Sequence, residues 1–309
     1  MNEAVLRPVV ADGSELAPLA YLNGAAPPAP QWFTDAIDAP HERGRLMVDG
    51  AWIEWLGWGE RDRPGLLLLH GNGAHAEWWR FIAPLLADRY RVVAFSWSGM
   101  GNSDHREDYS IDLFVAEILA VAESSGLLDA GPFVAMGHSF GGFPLMTLAN
   151  RAGAPLSRAI ILDTPFDGNS VGRSERGATA RPNRVYATLP EALARFRWEP
   201  QQPTRNMFIC DFVARKALKQ VEGGFTWKFD SAMWRDFYVE RTFDLLANPI
   251  CPLAMLWGEK SALLTPEIVA GMAKHVPAGT PMIAIPEAHH HVMMDQPLAL
   301  VSALRALLA

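Results

Sequence analysis

Five short runs of apolar residues recur along the chain, each bounded by glycine, proline or polar residues. They are rich in leucine, valine and isoleucine, and they occupy residues 65–71, 90–99, 131–139, 158–163 and 252–258. Runs of this length are typical of central strands in a parallel sheet that is covered on both faces. An alternating segment at 45–59 turns at Asp49-Gly50, which predicts a β-hairpin ahead of these strands.

Helix-like segments separate the strands, at about residues 76–88, 110–125, 141–152 and 264–275. A last helix is predicted to begin at Pro297, because its later leucine and valine residues fall on one stripe. Strands that alternate with helices predict an α/β fold, with a mostly parallel central sheet flanked by helices and joined by right-handed crossovers.

The alternation of strands and helices stops over residues 167–248. That stretch is mostly helix-like and rich in large aromatic side chains, so we interpret it as a helical lid inserted into the sheet domain. The core domain then comprises residues 45–166 and 249–309. Residues 1–44, which include a proline- and alanine-rich stretch, are expected to form an irregular N-terminal arm on the surface.

Composition narrows the class of protein. The chain has 309 residues, 50% hydrophobic and 20% charged, as in ordinary globular proteins. A net charge of −7 without a Lys/Arg stripe argues against a nucleic-acid partner. Cys210 and Cys251 lack zinc-ligand or CxxC spacing, which favours a reduced, cytoplasmic chain. No membrane span is expected, because no apolar run approaches ~20 residues, and no signal peptide is predicted.

Residues 137–141 read Gly-His-Ser-Phe-Gly and lie between a predicted strand and a predicted helix. This is the context of a nucleophile elbow, where a sharp turn lifts a serine above the sheet. Glycines are needed on both sides, because side chains there would collide with the neighbouring strand and helix. We therefore predict Ser139 as a catalytic nucleophile; the alternative is an ordinary strand-to-helix turn.

An earlier strand ends in the sequence His-Gly-Asn-Gly, at residues 70–73. Acyl transfer requires two donors aimed at the carbonyl oxygen as it becomes an oxyanion, and losing one costs about 3–4 kcal/mol. We predict the backbone N–H groups of Asn72 and Phe140 as this pair. The alternative is a glycine-rich turn that only lets the chain cross the sheet.

Together with SWSGMGNSD (96–104) and AHHHVMMDQP (288–297), these motifs resemble the α/β-hydrolase superfamily. The family marks occur in order: HG after the third strand, G-x-G-x-S after the fourth, G-x-S-x-G after the fifth, and a late histidine. The resemblance covers about residues 45–309 and implies the α/β-hydrolase fold. Within the superfamily, the chain resembles the lidded epoxide-hydrolase-like and haloalkane-dehalogenase-like group. That group uses an aspartate nucleophile where this chain has Ser139, a departure that favours esters, lactones or carbon–carbon hydrolysis.

Three consecutive histidines occupy residues 289–291. The family pattern resembles G-H-x-x-x-x-[ED]-x-P, and counting back from Pro297 selects His290, with Asp295 in the acidic position. Its role would be to take the Ser139 proton and return it to the leaving group. A metal site of three histidines is the rival interpretation, but consecutive residues of an extended loop point in different directions.

The imidazole needs a carboxylate on its other nitrogen, and replacing that group can cost about 10⁴ in rate. Many relatives carry it as G-x-x-D after the last of the apolar runs, but here that position is Ser261. Glu259 is the rival, and we expect it to point to solvent. Asp163 ends the preceding strand, where the chain returns to the carboxyl edge of the sheet beside the elbow. We predict Asp163 as the acid; the alternative is a helix-capping or lid-anchoring role.

These residues predict a cofactor-free serine hydrolase, with no metal, that cleaves a carboxylic ester or lactone through an acyl-enzyme. The expected partner is a moderately hydrophobic small-molecule substrate, in a pocket lined by Trp78, Trp79, Trp198, Trp227 and Trp234. Two alternatives stay open: a carbon–carbon bond hydrolase of ring-cleavage products, and a hydrolase-like sensor or binding protein with a weak triad. A homodimer is compatible with the sequence, which does not determine the oligomeric state.

Overall fold

The computed structural model describes residues 16–168, 170–171, 181–234, 237–240 and 242–309. Its strands are β1 (Glu42–Val48), β2 (Ala51–Trp58), β3 (Gly65–Leu69), β4 (Arg91–Phe95), β5 (Phe133–His138), β6 (Leu156–Leu162), β7 (Ser170–Val171), β8 (Leu218–Val221), β9 (Gly224–Trp227), β10 (Val239–Glu240), β11 (Leu253–Gly258) and β12 (Met282–Ile285). Its α-helices are α1 (Gln31–Asp38), α2 (Ile111–Ser124), α3 (Gly142–Ala149), α4 (Leu189–Leu193), α5 (Met207–Lys216), α6 (Asp244–Ala247), α7 (Pro266–Ala273), α8 (Val292–Asp295) and α9 (Pro297–Leu307).

Among these residues, eight strands form one sheet in the order β1-β2-β4-β3-β5-β6-β11-β12. β2 pairs antiparallel with β1 and with β4, and the other neighbours are parallel. Every residue of β3 and of β4 is buried, because helices and loops cover both faces of a parallel sheet. The mostly parallel central sheet predicted from the apolar runs is confirmed.

The predicted hairpin joins β1 to β2. Val48 pairs with Ala51, so the turn consists of Asp49 and Gly50, whose φ angles are 41° and 82°. Two consecutive positive φ angles are the requirement of a type I′ turn, and Asp-Gly meets it well.

Two predicted segments take a different form. The helix expected at 76–88 is a pair of 3₁₀ turns, Ala76–Trp79 and Ala83–Leu85, because Pro84 lacks the N–H group that a continuous α-helix requires. The arm is not irregular throughout: α1 lies within it and buries Phe33 against the ring of Phe81 in the core domain. The first 15 residues of the arm lie outside the described part of the chain.

Between β6 and β11 the chain leaves the sheet. This insertion contains α4, α5 and α6, but it also contains two antiparallel pairs, β7–β10 and β8–β9. The described part of the insertion thus contains short strands as well as the expected helices. The β8–β9 hairpin forms because a two-residue turn at Glu222-Gly223 joins Val221 to Gly224, and Gly223 supplies a φ of 83°. Residues 169, 172–180, 235–236 and 241 lie outside the described ranges.

The core has two halves, one on each face of the sheet. Leu66 and Leu68 belong to one hydrophobic cluster, and Leu67 and Leu69 belong to the other, because successive side chains of a strand point to opposite faces. The carboxyl ends of the parallel strands meet at one edge of the sheet. Within the described ranges, no helix combines the length and the hydrophobicity needed to traverse a bilayer.

Candidate active site

The turn from β5 into α3 holds Ser139 in an unusual backbone conformation. Its φ is 50°, in the left-handed region where a residue other than glycine costs about 1–3 kcal/mol. A Cβ on Gly137 would lie 2.5 Å from the Gly141 carbonyl oxygen, and one on Gly141 would lie 2.8 Å from the His70 carbonyl oxygen. Both positions therefore require glycine. This agrees with the expectation that side chains on either side of the serine would collide with neighbouring backbone.

Thr164, which follows the end of β6, makes contacts that stabilise this turn. Its Oγ1–H donates to the Ser139 carbonyl oxygen at 2.8 Å, and a Cβ on Gly142 would collide with its side chain. Thr164 directly follows Asp163, so one short segment contacts the elbow and carries the predicted acid. Thr164 was not predicted as a site residue from the sequence.

The structure joins the three predicted side chains in one line of hydrogen bonds. Ser139 Oγ lies 3.0 Å from His290 Nε2, and His290 Nδ1 lies 2.7 Å from Asp163 Oδ1. A carboxylate only accepts, so Nδ1 carries the proton and Nε2 is left to accept the serine hydroxyl. Asp163 and His290 are 0% and 2% exposed, whereas Ser139 is partly exposed.

Asp163 is stabilised in the core by further donors. The backbone N–H of Gly258 donates to Oδ2 at 2.8 Å, and Ser261 Oγ–H donates to Oδ1 at 2.7 Å. A buried carboxylate requires such partners. Asp163 also has a positive φ of 48°, so both Ser139 and Asp163 occupy the left-handed region. The serine found where many relatives carry the acid is thus a donor to the acid on the neighbouring strand.

Glu259, the rival acid, is exposed and points away from this line. Its Oε2 accepts a hydrogen bond from the backbone N–H of Glu287 at 3.1 Å. The partner of His290 is Asp163 instead.

The loop after β3 runs directly against the elbow. A Cβ on Gly71 would lie 3.0 Å from His138 Nδ1 and 3.1 Å from Ser139 Cβ. Asn72, the next residue, is exposed, and its Oδ1 accepts a hydrogen bond from Trp234 Nε1–H at 3.1 Å. The predicted oxyanion residues Asn72 and Phe140 therefore belong to two segments in contact beside the serine.

His138, inside the elbow motif, makes a hydrogen bond to the loop between β12 and α8 (residues 286–291), here called the histidine loop. Its Nε2 lies 3.0 Å from the His290 carbonyl oxygen, which only accepts, so Nε2 carries the proton. Burial lowers the pKa of His138 well below its usual value, which keeps the ring neutral. This contact was missed from the sequence, where His138 occupies the variable position of the motif.

The two histidines beside His290 have different environments. His289 Nδ1 lies 2.9 Å from Asp295 Oδ2, so the residue in the family's acidic position pairs with His289. His291 is 4% exposed, and burial holds its pKa well below the usual value. One nitrogen each of His138, His290 and His291 could together hold a metal ion. This set differs from the consecutive trio of residues 289–291 that was considered only as a rival interpretation of the sequence.

Gln202 of the insertion makes hydrogen bonds to the histidine loop and to α8, which follows it. Its Nε2–H donates to Asp295 Oδ1 at 3.1 Å, and its Oε1 accepts the backbone N–H of His291 at 2.9 Å. Asn206 Nδ2–H donates to the Met294 carbonyl oxygen at 2.7 Å. The insertion and the loop that carries the candidate base are thus one hydrogen-bonded unit.

Two more buried histidines lie near the loop after β3. His70 Nδ1–H donates to the Gly71 carbonyl oxygen at 2.7 Å, and burial lowers the pKa of His70 to about 3. His75 Nε2–H donates to the Val213 carbonyl oxygen at 3.0 Å, and burial lowers its pKa to about 4. Both rings are therefore neutral structural groups near pH 7.

The five predicted pocket tryptophans separate into four groups. Trp234 lies beside the elbow, 5.7 Å from the Phe140 ring. Trp78 and Trp198 contact the His291 ring at 5.3 Å and 5.1 Å. Trp79 is 0% exposed and is a core residue, so it does not line an open pocket. Trp227 packs against Phe196 in the insertion.

A doubly wound sheet with a serine, a histidine and an aspartate aligned at its carboxyl edge is the arrangement of an α/β-hydrolase. The comparison with family models agrees. The chain belongs to the alpha/beta hydrolase family, whose model matches residues 66–304.

Individual relatives are distant. Epoxide hydrolase 4 of Homo sapiens is 28% identical over 295 residues, which cover 87% of this chain and 78% of that protein. Cis-3-alkyl-4-alkyloxetan-2-one decarboxylase of Xanthomonas campestris is 23% identical over 298 residues, covering 84% and 93%. The solved thioesterase domain from the curacin biosynthetic pathway has a TM-score of 0.73 at 22% identity, covering 86% and 100%. These relatives support a hydrolase and confirm the resemblance to the epoxide-hydrolase-like group.

Proposed function

We propose that this protein is a serine hydrolase that cleaves a carboxylic ester or lactone through an acyl-enzyme. The observation that carries the proposal is the continuous line from Asp163 Oδ1 through His290 to Ser139 Oγ, at 2.7 Å and 3.0 Å. A serine at the elbow gives an ester intermediate that water can hydrolyse with the same histidine as base.

Acylation begins when Ser139 Oγ attacks the substrate carbonyl carbon while His290 Nε2 takes the hydroxyl proton. The oxyanion that forms receives the backbone N–H groups of Asn72 and Phe140. His290 then gives its proton to the departing alkoxide. In the second half, His290 takes a proton from water as the water attacks the acyl carbon, and returns that proton to Ser139. Asp163 keeps Nδ1 protonated and stabilises the imidazolium.

The insertion serves as a lid in this proposal. It contacts the oxyanion loop through the Trp234–Asn72 hydrogen bond and the histidine loop through Gln202. A cover joined to both loops can exclude water around the acyl-enzyme. Phe140 and Trp234, whose rings lie 5.7 Å apart beside the serine, favour a moderately hydrophobic acyl or alcohol group.

The test combines a fluorophosphonate probe with burst kinetics on p-nitrophenyl esters. The probe is expected to label the wild type and not Ser139→Ala. Asp163→Asn should slow the burst by about 10⁴-fold, whereas the matched carboxylate control Glu259→Gln should keep the wild-type rate. Equal labelling of Ser139→Ala, or full activity of Asp163→Asn, contradicts the mechanism. Turnover of a vinylogous dienoate without turnover of simple esters would identify a carbon–carbon hydrolase instead.

A further inference from the structure

Three buried imidazoles meet beside Ser139. His138 comes from the end of β5, and His290 and His291 come from the loop before α8. The ring centroids lie 4.8 Å apart for His138–His290, 4.8 Å for His290–His291 and 5.7 Å for His138–His291. One nitrogen of each ring lies within 4.8 Å of one nitrogen of each of the others.

Hydrogen bonds fix which ring nitrogen carries the lone pair in two members of this cluster. His290 gives its Nδ1–H to Asp163, so the free lone pair is on Nε2, 3.0 Å from Ser139 Oγ. His138 gives its Nε2–H to the His290 carbonyl oxygen, so its lone pair is on Nδ1. That nitrogen is buried without a hydrogen-bond partner among the described residues. A Cβ on Gly71 would lie 3.0 Å from it and 3.1 Å from Ser139 Cβ.

His291 completes the trio. Neither of its ring nitrogens has a partner of full hydrogen-bond geometry among the described residues, which is a costly state for buried polar atoms. The backbone carbonyl of Glu199 interacts with the ring as an acceptor. One ring nitrogen is therefore assigned the N–H, and the other keeps a lone pair for a bound cation.

The spacing of the rings fits one small cation. With a Zn–N bond of about 2.0–2.1 Å, tetrahedral coordination places imidazole centroids about 5.2 Å apart. The observed separations of 4.8–5.7 Å span this value, so the spacing of the rings is compatible with one ion bound to all three. Metal-ligating histidines usually donate their other N–H to a carboxylate or a backbone carbonyl. His290 and His138 do so here.

We propose that Zn²⁺ binds His138 Nδ1, His290 Nε2 and one nitrogen of His291, and that it thereby inhibits the hydrolase. Neutral imidazoles suit zinc and similar divalent transition metals. The ion coordinates the lone pair of His290 Nε2, which would otherwise take the Ser139 proton. The serine then cannot be activated. The inhibition rests on the proposed function, whereas the binding site does not.

Equilibrium dialysis with Zn²⁺ and the visible spectrum of bound Co²⁺ test the site without an activity assay. His291→Phe keeps an aromatic ring between Trp78 and Trp198 but removes a ligand. His289→Asn is the matched control, because it lies in the same loop outside the cluster and can still bond to Asp295. We expect one bound ion with a tetrahedral cobalt spectrum, an affinity at least about tenfold weaker in His291→Phe, and no change in His289→Asn.

A separate experiment measures whether zinc inhibits ester hydrolysis and fluorophosphonate labelling. Zinc should slow both ester hydrolysis and fluorophosphonate labelling, and a chelator should reverse this. His291→Phe, measured against its own zinc-free rate, should need at least about tenfold more zinc for the same fractional inhibition. Equal zinc affinity in His291→Phe and wild type overturns the site. Zinc that binds there but leaves labelling unchanged overturns the inhibition. If the wild type is not labelled at all, the proposed function fails, and the dialysis and cobalt spectra still decide whether the site exists.

Discussion

Acidification is expected to destabilise the fold, because four histidines are buried in their neutral form: His70, His75, His138 and His291. Burial lowers the pKa of His70 to about 3 and of His75 to about 4, and it holds the pKa of the other two well below the model-peptide value of 6.5. Below pH 6.5 the unfolded chain therefore binds more protons than the folded chain. Stability is complete above that pH and is lost as the pH falls through and below it.

The size of the effect follows from proton linkage. One unit below an unfolded pKa of 6.5, each such histidine favours the unfolded chain by about 1.4 kcal/mol, so four contribute about 5–6 kcal/mol at pH 5.5. This is comparable to the whole stability of many domains, about 5–15 kcal/mol. Burial raises the pKa of Glu117 and Asp295, and proton uptake by these carboxyl groups in the folded chain offsets part of the loss.

Urea unfolding, followed through the fluorescence of the 11 tryptophans, measures this directly. The unfolding free energy is expected to fall by several kcal/mol between pH 7.5 and 5.5. His291→Phe should lessen the fall by about 1.4 kcal/mol, whatever its effect at pH 7.5. A free energy of unfolding that stays constant or rises on acidification would show that these rings become protonated inside the fold.

Three further substitutions test the site. Ser261→Ala removes a hydrogen bond to a charged group worth about 1.5–3 kcal/mol, so kcat/KM for an ester should fall about tenfold or more; an unchanged value shows that the triad acid does not need this donor. Gln202→Leu should lower kcat and shift its pH profile, whereas exposed Gln201→Leu should not; equal effects refute a role in positioning the histidine loop. Gly142→Ala should lower Tm, because its Cβ meets Thr164; an unchanged Tm shows that the turn can yield.

Much of the fold was predictable because its signals are local. Each buried parallel strand is a continuous apolar run, and the glycines of the elbow follow from close backbone approach at Gly137 and Gly141. Two choices among candidates also agreed with the observed geometry: spacing selected His290 among three histidines, and the strand end selected Asp163 over Glu259. The hydrogen bonds join these side chains as that reasoning required.

The remaining features depend on contacts that are remote along the chain. β12 is a four-residue strand with a partly exposed pattern, so it lacks the continuous apolar run that marked the others. Gln202 and Thr164 are ordinary polar residues in the sequence, and only the fold brings them to the histidine loop and the elbow. Adjacent Trp78 and Trp79 look alike in sequence, yet only Trp79 is fully buried.

Ser261 also indicates how the position of the candidate acid can change during evolution. His290 Nδ1 and Ser261 Oγ both approach Asp163 Oδ1 at 2.7 Å, so positions 163 and 261 reach the same small volume from adjacent strands. Two carboxylates there would repel each other, whereas one carboxylate and one hydroxyl are complementary. The negative charge can thus be exchanged between two strands of the scaffold by a pair of substitutions, while the imidazole keeps its place. For other members of this family, a hydroxyl at either position is a reason to inspect the opposite strand before concluding that the site is inert.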